Sequence, residues 1–135
     1  MTIVVGYIPT AEGSAAVDVA MAEAALKGSR LVVVNTGHYG DFSHPSFATA
    51  EDMDALDQQL DAAGVSHEIR RPTGGEAPAE VILAAAQETG AELIVIGVRR
   101  RSPMGKVLTG STAQQVLLDA NCPVLAVKPR PRPAD

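Results

Sequence analysis

The stretch GVRRRSPMGKVLTGST, residues 97–112, holds the densest chemistry in the chain: three consecutive arginines and a lysine between Gly97 and Gly110-Ser111-Thr112. Such a set can hold an anion. A guanidinium brings five fixed donors and a permanent charge, and a glycine lets backbone N–H groups come close to a ligand. A helix that opens at Gly110-Ser111-Thr112 would turn its unpaired N–H groups and positive dipole end toward the same place. The alternative is structural: Gly97 and Gly110 only turn the chain, Ser111 only caps a helix, and Arg99 and Arg101 project into water or pair with acidic helices. Spacing alone leaves both open.

Other reactive residues carry less. His38, Asp41 and His44 lie close together in GHYGDFSHPSFA, where a metal or acid–base site can be imagined. That loop is rich in glycine and serine, so exposed turn residues are the better account. His67 belongs to an alternating strand and is expected to be structural. Cys122 is the sole cysteine, which rules out an intrachain disulfide and suits a small apolar residue in a reducing compartment. No Ser/His/Asp or Cys/His arrangement can be argued, and no metal site is expected. The expectation is a binding or regulatory module, not a catalyst.

Five aliphatic runs must position these groups: 2–7, 30–36, 65–70, 92–97 and 123–128. Four are nearly continuous Val, Ile and Leu, as in parallel strands covered on both faces. The third alternates Val65, His67 and Ile69 with Ser66, Glu68 and Arg70, which suits a less buried strand at a sheet edge. Helical period runs through the segments between. From Gly13 to Lys27 an alanine stripe ends in a glycine turn; from Thr49 to Ala63, Met53, Leu56 and Leu60 recur behind a Thr49–Asp52 capping box. Pro78 suits the first turn of a helix from Ala77 to Thr89, and Ser111 the N-cap of a helix to Ala120 whose inner side is Ala113, Val116, Leu117 and Ala120.

This strict alternation predicts one α/β domain of three layers, a five-stranded parallel sheet with helices on both faces. The domain is expected over 1–129, with 130–135 a flexible proline-rich tail. Bulk composition agrees: 135 residues suffice for one core, and at 3% aromatics that core must be Val, Ile, Leu and Ala. A net charge of −5 argues against general nucleic-acid or membrane-surface binding. Positive charge is local, at 99–101 and at Lys128, Arg130 and Arg132. Without a leader-like segment or a long apolar run, the expected compartment is the cytoplasm.

Open α/β sheets bind ligands outside the carboxyl ends of their strands, where the strand order reverses. For this connectivity that point lies between the first and fourth strands, whose exits read GYIPTAEGS and GVRRRSPMG. The basic stretch therefore falls at the place the fold favours, as a phosphate cradle.

Gly97, Gly110-Ser111, the following AQQVLLDANCPVLAVKP, the opening IVVGYIPTAEGSAAVDVAMAEAALKGSRLVVVN and the strand AELIVIG together resemble the universal stress protein family over nearly the whole chain, with 37–60 weakest. The resemblance implies a Rossmann-like, adenine nucleotide α-hydrolase-like fold, a homodimer, and a role in the stress response. It implies ATP or AMP as ligand, with Gly97, Gly110, Ser111 and Thr112 at the phosphates and ribose, and Pro9, Thr10 and Val34 at adenine. The pattern departs at Arg100, where the family's binding branch has glycine, and the first loop lacks that branch's acidic residue. Arg99, Arg100 and Arg101 could bind phosphate through side chains, with Gly105 as a displaced glycine turn or a simple reversal before Lys106. Alternatively Arg100 occupies the phosphate site, leaving a homodimeric stress-response protein without nucleotide. A weak nucleotide hydrolase is the remaining alternative, although no residue is an evident general base.

Two rivals of other classes fail on residues. A phospho-receiver domain needs an acidic cluster after strand one and an Asp after strand three, but those places read YIPT and IRRPTGG. A flavin module wants aromatic rings, and only Tyr7, Tyr39, Phe42 and Phe47 are present. The last strand, Val124, Leu125, Ala126 and Val127 between Pro123 and Pro129, would pair with a second copy if it forms the sheet edge.

Overall fold

Short β-branched runs divided by glycine-terminated helical segments can bury their apolar faces only by stacking in layers. In the computed structural model, which describes residues 1–36, 48–72, 74–98 and 110–129, they do so in strict alternation. The elements are β1 (Thr2–Tyr7), α1 (Ala11–Lys27), β2 (Arg30–Asn35), α2 (Ala50–Ala62), β3 (His67–Arg70), α3 (Pro78–Thr89), β4 (Leu93–Gly97), α4 (Ser111–Asp119) and β5 (Val124–Val127). The strands pair in parallel in the order β3-β2-β1-β4-β5. The strand order therefore reverses between β1 and β4, as expected, and β3 and β5 are the edges.

Successive residues of each strand point to opposite faces, so the sheet divides the core in two. Ile3, Val5, Leu31, Val33 and Val95 face α1 and α2, meeting Ala16, Ala20, Leu56 and Leu60. Val4, Val32, Val34, Ile94 and Ile96 face α3 and α4, meeting Ile82, Ala85, Ala113 and Val116. The alanine stripe of α1 lets that helix lie close over β1 and β4, the two strands that flank the reversal.

Local signals set most helix ends. The Thr49 hydroxyl accepts from the Asp52 N–H while the Asp52 carboxylate accepts from the Thr49 N–H, which closes the capping box. Gly28 and Gly90 end α1 and α3 at φ 67° and 63°, a region glycine enters without strain. Two ends differ from expectation. Helix α1 starts at Ala11 instead of Gly13, because the Thr10 hydroxyl accepts from the Gly13 N–H at 3.1 Å. The N-cap of α4 is Gly110, not Ser111: Gly110 has the extended backbone of a cap (φ −66°, ψ 163°), and Ser111 is already the first helical residue. Leu117 also departs, half exposed because the inward side of α4 is filled by Ala113 and Val116. Among the described residues, no helix is long and apolar enough to cross a membrane.

Candidate functional site

The site is built where β1 and β4 end side by side. Beyond Tyr7 the chain passes through Ile8, Pro9 and Thr10 and enters α1 at once. Gly97, the last residue of β4, packs against the backbone of that first turn: a Cβ at this position would lie 2.2 Å from the Glu12 carbonyl oxygen. Gly13 makes the matching close approach on the other side, where a Cβ would lie 1.9 Å from the Ile8 carbonyl oxygen. Gly97 thus seats the β4 exit on the β1–α1 turn, while Gly13 lets that turn close tightly on itself. The need for Gly97 is thus tertiary proximity, not the turn expected from sequence, since its φ is not positive.

Helix α4 approaches the same end of the sheet. It precedes β5, which runs parallel to β4, so its N-terminus lies at the carboxyl ends of the strands. That terminus has neither a side-chain cap bond nor an acidic residue in its first turn. Gly110 and Ser111 are exposed and Thr112 is half-buried. Among the described residues no atom lies within 4 Å of the place a Gly110 Cβ would take. The first-turn N–H groups and the positive dipole end therefore lie at the carboxyl end of the sheet, with no side-chain bond from the N-cap residue.

The remaining candidates fall unequally. Arg99, Arg100, Arg101, Gly105 and Lys106 lie outside the described residues, as do His38, Asp41 and His44 and the tail 130–135. Pro9 and Thr10 stand half-buried in the β1–α1 turn, with the Thr10 hydroxyl committed to its cap. Val34 is fully buried beside Gly6 and turned toward α3. With Arg70, Pro72, Val81, Ala85 and Glu88 it lines a cavity of about 710 Å³, and neither Pro9 nor Thr10 borders that space.

Asn35 was not among the residues singled out from sequence. It ends β2 and is fully buried; its Nδ2 donates to the Tyr7 carbonyl at 3.0 Å and its Oδ1 accepts from the Ala48 N–H at 3.2 Å. One amide thus ties the end of β1 to the chain entering α2. The only advance sign was a polar residue closing a valine run.

Two ionisable groups, Tyr7 at the carboxyl end of the sheet and Cys122 at its amino end, are shifted toward their neutral forms. Burial, with a smaller contribution from the Asp52 charge, raises the Tyr7 phenol above its ordinary value of 10.0. Burial likewise raises the Cys122 thiol, which packs at the margin of the α3–α4 layer. Neither is thereby activated as a nucleophile or base.

Comparison with known proteins agrees with this fold. The family model for the universal stress protein family matches residues 1–128. A universal stress protein of Mycolicibacterium smegmatis is 42% identical over 127 residues, covering 94% of this chain and 97% of that protein. Among solved structures, a universal stress protein from Archaeoglobus fulgidus superposes with a TM-score of 0.78 at 31% identity, covering 95% of this chain and 98% of that one. The structure of the Archaeoglobus fulgidus universal stress protein in complex with dAMP gives a TM-score of 0.72 at 27% identity, with coverage of 95% and 98%. With its sheet order, its two-sided core and a match over nearly its whole length, the chain belongs to the universal stress protein family.

Proposed function

We propose that this chain is a regulatory module that binds an adenine nucleotide, ATP or AMP, at the reversal between β1 and β4. The observation that carries the proposal is the seating of Gly97 on the first turn of α1, with the β4 exit and the N-terminus of α4 at the same end of the sheet. Gly97, Gly110, Ser111 and Thr112 would flank the phosphates and ribose, with Arg99, Arg100 and Gly105 joining them from the connection between. Pro9 and Thr10 would border the base. Thr10 would do so through its methyl and backbone, since its hydroxyl is used by the cap. Val34 would contribute only an apolar wall. The dAMP complex of a relative 27% identical supports the ligand class. The module would act as a homodimer through Val124–Val127.

Mass spectrometry of nucleotide released from freshly purified protein tests this. Occupied wild type that empties on Gly110→Asp supports the cradle. Empty wild type with an occupied Arg100→Gly variant supports the second form, in which the arginine, standing where the binding branch has glycine, fills the phosphate site. Empty protein in all three cases, with no heat of binding on adding ATP or AMP, removes the nucleotide proposal.

A further inference from the structure

His67 opens β3 with its side chain only 9% exposed, beneath α2. Its Nδ1 lies 2.8 Å from the Val65 carbonyl oxygen, which can only accept, so Nδ1 carries a hydrogen. Its Nε2 lies 2.6 Å from one Asp57 carboxylate oxygen and 3.9 Å from one of Asp61, two residues a helical turn apart on α2. An ionised carboxylate also only accepts. A neutral ring whose hydrogen sits on Nδ1 would point a lone pair at that carboxylate. The contact at Nε2 therefore requires a second ring proton. Carboxyls ordinarily lose theirs near pH 4 and imidazole near 6.5, so between roughly these values the shared proton rests on the ring.

We infer that His67 is a proton-operated latch that fastens α2 to the β3 edge of the sheet, closed when both ring nitrogens are protonated and open when Nε2 loses its proton. The charged groups facing the ring are Asp57 and Asp61 on α2. The strand beside it presents Leu31. Arg30, Glu68 and Arg70 form a separate ion-pair group, from alternate strand positions. Helix α2 depends on such a tie, because its apolar attachment is confined to Leu56 and Leu60, with Met53 half-buried. Its opening is held to the strand ends through the Ala48–Asn35–Tyr7 hydrogen bonds, so loosening α2 reaches the same end of the sheet as the candidate site. The latch does not depend on nucleotide binding.

The sign follows from the ring's surroundings. Burial lowers its pKa, but hydrogen bonds to Asp57 and to the Val65 carbonyl and the charges of Asp57 and Asp61 outweigh burial, leaving it above the ordinary 6.5. The latch is thus fully closed below 6.5 and opens as pH rises through the raised value.

The test is an NMR titration of the His67 ring in the full chain with a chelator present, the resonance assigned by its loss in His67→Gln. The expected midpoint lies above 6.5, falls in Asp57→Asn and falls further when Asp61→Asn is added. Amide-exchange protection of α2, corrected for intrinsic rates, should drop across that midpoint by about tenfold per pH unit of its excess over the ordinary value. Protection of α1 should stay level. A midpoint at or below 6.5, indifference to both aspartate changes, or an equal fall in α1 overturns the latch. So does a ring signal that responds to added Zn²⁺ without chelator but not to pH.

Discussion

Gly97 and Gly110 look interchangeable as glycines at the two ends of one segment, yet the structure gives them opposite duties. A methyl group at Gly97 would press into the Glu12 backbone, which has no flexible end to yield. Gly97→Ala is therefore expected to cost about 1–3 kcal/mol, as overpacking does, visible as a lower denaturant midpoint at unchanged slope. Gly110 has a φ of −66° that any residue can adopt and no described atom within 4 Å. Gly110→Ala should cost less than about 1 kcal/mol of stability while weakening nucleotide retention, because its Cβ would stand at the mouth of the α4 N-terminus. Equal losses of stability in the two variants would contradict this division. Asn35 makes a third case: Asn35→Leu leaves the Tyr7 carbonyl and the Ala48 N–H without their described amide partner, an expected loss of about 1–3 kcal/mol in the same unfolding experiment. The position of Gly97 at the strand exit was legible in the sequence. Its reason was not, since Glu12 lies 85 residues away in the chain and only the β1–β4 pairing brings it near. Asn35 was hidden for a similar reason, because its value lies in partners that no spacing rule connects.

At the scale of elements, β3 concentrates two pH effects of opposite sign. The Glu68 carboxylate is held below its ordinary 4.5 chiefly by its hydrogen bond to Arg70, with a further bond to Arg30, against a smaller opposing effect of burial. A lowered carboxyl contributes stability above its ordinary value and loses it as pH falls through the folded value. The raised His67 contributes below 6.5 and loses it as pH rises. Their joint contribution is greatest between 4.5 and 6.5. In stability measured against pH, wild type minus Glu68→Gln should differ most above 4.5 and converge toward acid. Because Glu68 is about one-third exposed, solvent keeps the difference small. A difference that grows on acidification would contradict the assignment. Strand β3 also shows what alternation can reveal: His67 and Ile69 set against Glu68 and Arg70 marked an edge strand, and the sheet order places it there. The Thr49–Asp52 capping box was equally legible, because both partners lie within four residues. The cap of α4 was misassigned to Ser111 on residue preference, whereas the chain's entry into the helix puts Gly110 in the cap conformation.

At the scale of the molecule, the open question is what lies beyond β5. Parallel sheets are ordinarily covered on both faces and closed at their edges by charge, bulges or another chain. Strand β5 has none of these devices among the described residues: it pairs with β4 on one side, its residues are all aliphatic, and Leu125 remains 38% exposed. Pro123 and Pro129 bracket the strand and offer no N–H, so pairing would stop after one strand's length instead of propagating. A second copy related by a twofold axis satisfies all of this, each Val124–Val127 strand pairing antiparallel with its equivalent. Light scattering coupled to gel filtration is then expected to give twice the 14.0 kDa chain mass at about tens of micromolar, the range in which a modest interface holds. Leu125→Glu should return the chain to a single copy that still unfolds cooperatively, with a midpoint that no longer depends on protein concentration. Removing residues 130–135 separates this from the alternative that the tail folds over the edge. A truncated chain of unchanged mass supports pairing between copies, whereas a wild-type monomer that associates only after truncation would show that the tail is the cover.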